Sequence, residues 1–206
     1  MDLEYFMRPS RWVFYAHSLF WMGFLVARMR ALTSDSSGGQ GANQAAQHTD
    51  EAVHARHATA LVRTHVAVII GLYPALWITT TNTPTAPSLA RGVTAIGLIT
   101  VGAASAGWAI SVFRSYRLRA TLETGHELCE DGPFRHVRHP IYLAFGLLGL
   151  GSAVWGNTPI LWGIAALLWV IADLRARSEE TLLTDTFGER YRDYVGITKR
   201  LLPWVY

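Results

Sequence analysis

Five apolar runs separated by polar segments dominate the chain: 12–27 (WVFYAHSLFWMGFLVA), 61–80 (LVRTHVAVIIGLYPALWITT), 92–113 (GVTAIGLITVGAASAGWAISVF), 141–156 (IYLAFGLLGLGSAVWG) and 160–172 (ILWGIAALLWVIA). They are continuous and show little of the one-sided 3.6-residue stripe of a surface helix, which argues against buried helices of a soluble protein and for spans in lipid. A helix rises about 1.5 Å per residue, so crossing about 30 Å of hydrocarbon takes about 20 residues. The second and third runs are long enough alone. The first, fourth and fifth are short and need flanking residues or a thinned bilayer. Within the fourth, GLLGLG (146–151) supplies small residues that let helices approach closely in a bilayer. WGNTP (155–159) is a tight turn, so the fourth and fifth runs should form an antiparallel hairpin. The predicted architecture is an all-α integral membrane protein with five transmembrane helices. It forms a single membrane domain over 1–206, three N-terminal spans in 1–113 and a chemical half in 114–206 built on the hairpin.

The polar segments orient this bundle. With five spans and the C-terminus in the cytoplasm, segments 28–63, 114–140 and 173–206 share the cytoplasmic side and hold 15 of the 18 lysines and arginines. Arg8, Arg11 and Arg91 remain on the other side, in line with the positive-inside rule. Segment 33–52 is small and polar, a flexible loop by composition; 79–88 (TTTNTPTAPS) is a proline-punctuated turn.

Composition supports a membrane setting. Half of the residues are hydrophobic and 16% are charged, against about 25% in soluble domains. The net charge of +3 comes almost wholly from arginines at the ends of apolar runs, so no nucleic-acid partner is expected. The first run starts late and lacks a small-residue cleavage pattern, and is expected to be a retained span. A single cysteine, Cys129, excludes an intramolecular disulfide and a cysteine-based zinc site. Of the histidines at 48, 54, 57 and 65, only His54 and His57 have helical ligand spacing, with no acid in register, so no metal site is expected. His65 differs, since a polar residue at membrane depth is a functional candidate by default.

The candidate chemistry lies at the two outer ends of the hairpin. One end carries GHELCEDGPFRHVRHPIY (125–142), the other DLRARSEETLLTDTFGERY (173–191). A tight hairpin brings them together. Pro140 suits the first turn of a helix, which puts His139 near the N-cap, beside free N–H donors and the positive end of the helix dipole. Arg175 and Glu179 are four apart on one helix face, as are Asp173 and Arg177. Helix-end charges near a membrane often only snorkel or pair, so the order of the motifs carries the case. FGERYRDY (187–194) should be an amphipathic cytoplasmic helix with Tyr191 and Tyr194 packed beneath it, and LLPWVY (201–206) an interfacial anchor.

GPFRHVRHPIY, then a hairpin, then RARSEE, then FGERYRDY, then LP resembles the isoprenylcysteine carboxyl methyltransferase family, part of a wider group of membrane methyltransferases that includes phospholipid methyltransferases. The resemblance covers about residues 114–204; the first three helices show no comparable signature. It implies an integral membrane enzyme using S-adenosylmethionine, held in a pocket at the cytoplasmic end of the hairpin, and a lipophilic or lipid substrate. His126, Glu127, Leu128 and Cys129 match one cofactor strip of the family, with Cys129 in place of the usual valine. Phe134 stands where the family often has tyrosine. His139, Pro140, Ile141 and Tyr142 match a second strip. Glu179 matches an acidic cofactor contact and Arg175 the arginine on the substrate side. Arg119 falls where eukaryotic members have a glutamine that touches the cofactor. The expected location is the plasma membrane of a bacterium, with the site facing the cytoplasm.

The residue types suit that chemistry. The cofactor's cations and ribose need acceptors, which Glu179 supplies; its carboxylate needs donors, which His126, His139, Tyr142 and the helix-start amides supply. A carboxylate acceptor needs no general base, and Arg175 can grip it bidentately. An amine acceptor must lose a proton, with Glu179 or a histidine as the base. The lipid-acid acceptor is the favoured expectation; an isoprenoid or fatty acid, a phospholipid amine and a small thiol remain open. Two other functions compete: an NADPH-dependent membrane reductase of the sterol-reductase type, and a non-catalytic lipid-binding membrane protein.

Overall fold

The computed structural model describes residues 9–34, 49–82, 86–112 and 128–206, and these are helical, with no strand among them. After a 3₁₀ turn at Pro9–Arg11 come α1 (Trp12–Ser34), α2 (Thr49–Asn82) and α3 (Leu89–Val112). A second 3₁₀ turn, Gly132–Arg135, leads into α4 (Pro140–Gly156), α5 (Pro159–Phe187) and α6 (Glu189–Ile197). The predicted hairpin is present. Asn157 ends α4 in the left-handed region (φ 47°, ψ 45°), donating its N–H to the Ala153 carbonyl, and Pro159 opens α5 two residues later. A left-handed asparagine at a helix end and a proline at a helix start are what these two residue types favour.

Among the described residues, three helical stretches are long and apolar enough to cross a membrane: Ala58–Asn82, Leu89–Val112 and Pro159–Phe187. Trp12–Ala27 and Pro140–Gly156 are apolar but shorter. The fifth run, short when counted alone, thus belongs to a 29-residue helix. Such a helix is about 43 Å long and exceeds the hydrocarbon thickness. Its charged second half, from Asp173 on, continues the rod past the apolar part, so the apolar run understates the element.

α4 is the centre of the bundle, packed along both α3 and α5, while α1 lies on α3 and α2 on α5. Glycines explain the closeness. A Cβ on Gly151 would stand 2.8 Å from the Ala95 carbonyl oxygen, and one on Gly102 2.9 Å from that of Ala144. α3 and α4 therefore meet backbone to backbone, as GLLGLG predicted for part of this contact. α4 is apolar on all sides and is largely covered, with Leu147, Leu150 and Val154 forming its one half-buried stripe. The outer helices instead expose large apolar side chains, among them Leu19, Met22, Ile70, Trp77, Val101, Leu167 and Val170, as a lipid-facing surface requires.

One buried polar chain crosses this apolar interior. Trp21 Nε1 donates to the Tyr73 hydroxyl. Tyr73 Oη lies 3.1 Å from His17 Nδ1, and His17 Nε2 2.9 Å from Ser152 Oγ. Ser152 donates its own proton to the Leu148 carbonyl, so it accepts from His17 Nε2–H, and Nδ1 accepts from Tyr73. Every member is satisfied, and α1, α2 and α4 are fixed in register; such interhelical bonds average about 0.6 kcal/mol each in membranes. His17 carries the same sequence signal as His65, a polar residue inside an apolar run, and here it serves packing between helices.

Candidate functional site

The site begins where the chain enters α4. Arg138 N–H donates to the Lys199 carbonyl (2.7 Å) and His139 N–H to the Arg200 carbonyl (3.1 Å), with an isolated parallel bridge between Val137 and Lys199. The segment after α6 therefore pins the start of α4. His139 occupies the N-cap and Pro140 the first helical position, as expected, yet the imidazole makes no capping bond. It points to the acids of α5 instead. His139 Nδ1 lies 3.5 Å from Glu179 Oε2, and Nε2 3.5 Å from Glu180 Oε1, the latter within ion-pair range but without an aligned hydrogen bond.

Tyr142, one turn into α4, stacks on His139 with ring centroids 5.5 Å apart and donates its hydroxyl proton to Glu179. The Arg175 guanidinium lies 4.5 Å over the Tyr142 ring and 3.9 Å from the Glu179 carboxylate. His65 on α2 completes the group, its Nδ1 3.1 Å from Arg175 Nη1. Three helices thus converge on Tyr142 and Arg175.

The two adjacent acids differ in kind. Glu180 is saturated: Oε1 accepts from Arg138 Nε (2.8 Å), and Oε2 from Arg200 Nη2 (2.6 Å) and Nε (2.9 Å). Its side chain is 12% exposed, that of Glu179 36%. Successive residues on a helix point about 100° apart, so one acid turns to the arginines and the other to the open side. Arg138 also donates to the Thr198 carbonyl at 2.5 Å, and Arg200 reaches Asp173 at 3.4 Å.

Burial alone would lower the pKa of His139, but the hydrogen bonds and charges of Glu179 and Glu180 outweigh it and hold the imidazole above its ordinary value. A histidine raised in the folded state stabilises the fold fully below its unfolded pKa and loses that contribution as pH rises through the folded value. The thermal midpoint in detergent should therefore fall as pH is raised above 6.5, the ordinary histidine value. His139→Gln should flatten that part of the curve; an unchanged slope would show that the pairing contributes nothing. Burial and the neighbouring acids push the Cys129 thiol up, which suits a packing residue and not a nucleophile. Burial also raises the hydroxyls of Tyr191 and Tyr194, so both stay neutral.

Of the residues singled out from the sequence, His139, Tyr142, Arg175 and Glu179 come together in one cluster, and His65 joins them. Ile141 and Phe134 belong to the apolar core among α1 to α5, and Cys129 packs against it. Phe134 offers its backbone instead, accepting from the Tyr194 hydroxyl at 2.6 Å. Pro140 is buried and opens α4; its carbonyl accepts from Ser105. Leu128 packs with Tyr191 and Tyr194 beneath α6, as predicted for that helix. His126, Glu127 and Arg119 lie outside the described residues. The C-terminal stretch differs from a plain interfacial anchor: Trp204 is exposed, but the Tyr206 hydroxyl turns back to Asp173 (2.9 Å), Arg177 (2.8 Å) and Arg200 (2.6 Å). Charge-assisted hydrogen bonds to the middle of α5 and to Arg200 hold that hydroxyl.

Sequence reasoning missed Glu180, Arg138 and Arg200. The doubled acid in RARSEE is the available signal, since successive residues on a helix point about 100° apart and the two carboxylates meet different surroundings. Tyr191, expected only to pack beneath α6, has a buried hydroxyl with no hydrogen-bond partner among the described residues.

A profile of the phospholipid methyltransferase family matches residues 87–190, half of the chain. The chain belongs to the phospholipid methyltransferase family. No curated protein matches it. The phospholipid methyltransferase match begins at the start of α3, earlier than the motif series at 114–204 suggested, and includes His139, Tyr142, Arg175, Glu179, Glu180 and Arg138. It leaves out α1, α2 with His65, and Arg200. A family of membrane methyltransferases agrees with the apolar, lipid-facing helices: the protein is an integral membrane methyltransferase.

Proposed function

We propose that this chain transfers a methyl group from S-adenosylmethionine to a lipophilic acceptor whose reacting group is a carboxylate, at a site on the cytoplasmic face of a five-span bundle. The observation that carries the reading is the meeting of His139 and Glu179 within 3.5 Å across the hairpin, with Tyr142 and Arg175 against them. The residues fit the cofactor. Glu180 is neutralised by two arginines, so Glu179, one-third exposed, is the acid left to meet an external cation. The Tyr191 hydroxyl, without a hydrogen-bond partner among the described residues, adds a polar group for a ribose or carboxylate. Glu179, His139, Tyr142 and Tyr191 would hold S-adenosylmethionine, together with His126, Glu127, Leu128 and Cys129 of the preceding strip. When bound, it supplies an electrophilic methyl group.

The chain's own part is then positioning. Glu179 orients the cationic side while Tyr142 and His139 hold Glu179 in place. Arg175 offers only donors, is 7% exposed, and is braced over the Tyr142 ring, so it can fix an anionic acceptor without reorganising. A carboxylate attacks as it stands, so no side chain has to take a proton. The positive-inside pattern supports the orientation, and the three long and two short apolar helices are compatible with five spans.

The test titrates detergent-solubilised protein with S-adenosylhomocysteine and with NADPH, then incubates it with methyl-labelled cofactor and total membrane lipids. Saturable S-adenosylhomocysteine binding and labelled lipid esters are expected. Binding of NADPH alone would move the assignment to a reductase, and binding of neither to a non-catalytic lipid binder. Labelled phospholipid amines in place of esters would refute the carboxylate acceptor. Arg175→Ala should leave S-adenosylhomocysteine affinity within about threefold and lower turnover by roughly 100-fold or more, the loss expected when a buried charged contact to the reacting group is removed.

A further inference from the structure

His139 stands between the two acids of α5 in a way that suits only a charged ring. Its Nδ1 lies 3.5 Å from Glu179 Oε2 and its Nε2 3.5 Å from Glu180 Oε1, and its side chain is 6% exposed. A neutral imidazole has one N–H and one lone pair, so either tautomer would aim a lone pair at a carboxylate. The imidazolium has a donor on each nitrogen and meets both acids. His139 is therefore a cation lodged within the cluster, and its raised pKa keeps it charged near neutral pH.

The groups around it show which charge can leave. Glu179, Glu180 and Arg175 face it from α5, Tyr142 is stacked on it from α4, Arg138 precedes it, and Arg200 follows α6. Two further titratable groups bring no charge. Tyr191 on α6 stays neutral, and His65 on α2 accepts from Arg175 and so keeps a lone pair on Nδ1. Glu180 has its own cations in Arg138 and Arg200. Glu179 faces two others, His139 and, at 3.9 Å, Arg175. A carboxylate already facing two cations attracts a third only weakly, and S-adenosylmethionine brings one. Arginine does not lose its proton in a protein, whereas histidine does so near neutral pH. Loss of the Nδ1 proton does two things at once. It removes the competing charge from Glu179, and it leaves a lone pair where a donor stood.

We propose that His139 releases its Nδ1 proton to water when S-adenosylmethionine binds: the cofactor's cation replaces the imidazolium at Glu179, and Nδ1 becomes an acceptor beside it. The Nε2–H stays directed at Glu180, and one N–H bond is all that breaks. This rests on the methyltransferase reading above and deepens it, because it makes cofactor binding proton-linked and gives His139 a role as acceptor. A ligand that prefers the deprotonated form binds more tightly as pH rises. Affinity should climb by up to about tenfold per pH unit below the pKa of His139 and level off above it.

The test is calorimetric titration of the full-length protein in detergent micelles with S-adenosylmethionine. The pH is 6.5, the ordinary histidine value and below the range of about 7.7–8.0 usual for an α-amino group, so the cofactor's own amine stays charged. Repeating the titration in phosphate and in Bis-Tris, which differ in ionisation enthalpy, counts the protons exchanged. Wild type should release roughly 0.5–1 proton per cofactor bound, and His139→Gln, which carries no charge to lose, less than about 0.2. In ¹⁵N-histidine-labelled wild type, the His139 Nδ1 resonance should move from the protonated to the unprotonated position as cofactor is added. Saturable binding with no proton released, a stationary Nδ1 resonance, or equal release from the glutamine variant would overturn the proposal while leaving the methyltransferase reading intact. Absence of S-adenosylmethionine binding at any pH would overturn both. Should the glutamine variant fail to fold, the wild-type proton count and the Nδ1 resonance still decide.

Discussion

Glu179→Gln should lower the affinity for S-adenosylhomocysteine by roughly 10- to 100-fold while leaving the thermal midpoint within a few degrees of wild type. The magnitude follows from a hydrogen bond to a charged group, worth about 1.5–3 kcal/mol, and a factor of ten for each 1.4 kcal/mol. The small effect on the fold follows from geometry. Glutamine keeps an oxygen to accept from Tyr142, and the carboxylate it replaces is the more exposed of the two acids and stands 3.9 Å from Arg175, at the edge of ion-pair range. Arg175 retains His65 and the Tyr142 ring. Calorimetric titration of both proteins checks the affinity, and equal affinities would remove Glu179 from the cofactor side of the site. Glu179→Ala should weaken binding at least as much, with an added loss of stability from the missing Tyr142 contact.

Glu180→Ala should do the reverse and act first on the fold. Its carboxylate is the shared partner of Arg138 and Arg200, whose side chains are 7% and 20% exposed, and it also faces His139. Removing it takes the paired carboxylate from the buried Arg138 and leaves Arg200 with Asp173 alone, and breaking a buried ion pair this way costs about 3–5 kcal/mol. For a chain of this length that corresponds to a drop of roughly 10 °C in the thermal midpoint. The start of α4 should loosen with it, because the backbone of Arg138 and His139 is held by the same segment that carries Arg200. Cofactor affinity should therefore fall only as far as the folded fraction falls. A Glu180→Ala protein with a wild-type midpoint and lost affinity would show that this acid, too, meets the cofactor.

The contrast between these neighbours marks what the chain discloses and what it conceals. The helices, the hairpin and the meeting of His139 with Glu179 follow from local rules: apolar length, a tight turn, proline at a helix start and four-residue spacing. Those rules act over a few residues, so they are visible in one string. The role of Glu180 is set by Arg138, 42 positions away, and by Arg200, 20 positions on and beyond another helix. No spacing rule connects them. His65 was visible only as an oddity of polarity; that it meets Arg175 depends on α2 packing on α5, which no motif encodes. The fifth apolar run hides its element in the opposite way. The run ends at the first charge, Asp173, but a helix does not stop where its surface changes from lipid-facing to charged.

The tight seating of α4 against α3 has a bearing on motion. With carbonyl oxygens filling the places of missing methyl groups at Gly102 and Gly151, α4 has no slack to slide or rotate on that neighbour. His139 and Tyr142, near its first turn, are thus stationary reference points. Any opening that admits a ligand or releases a product has to be made by the parts around them.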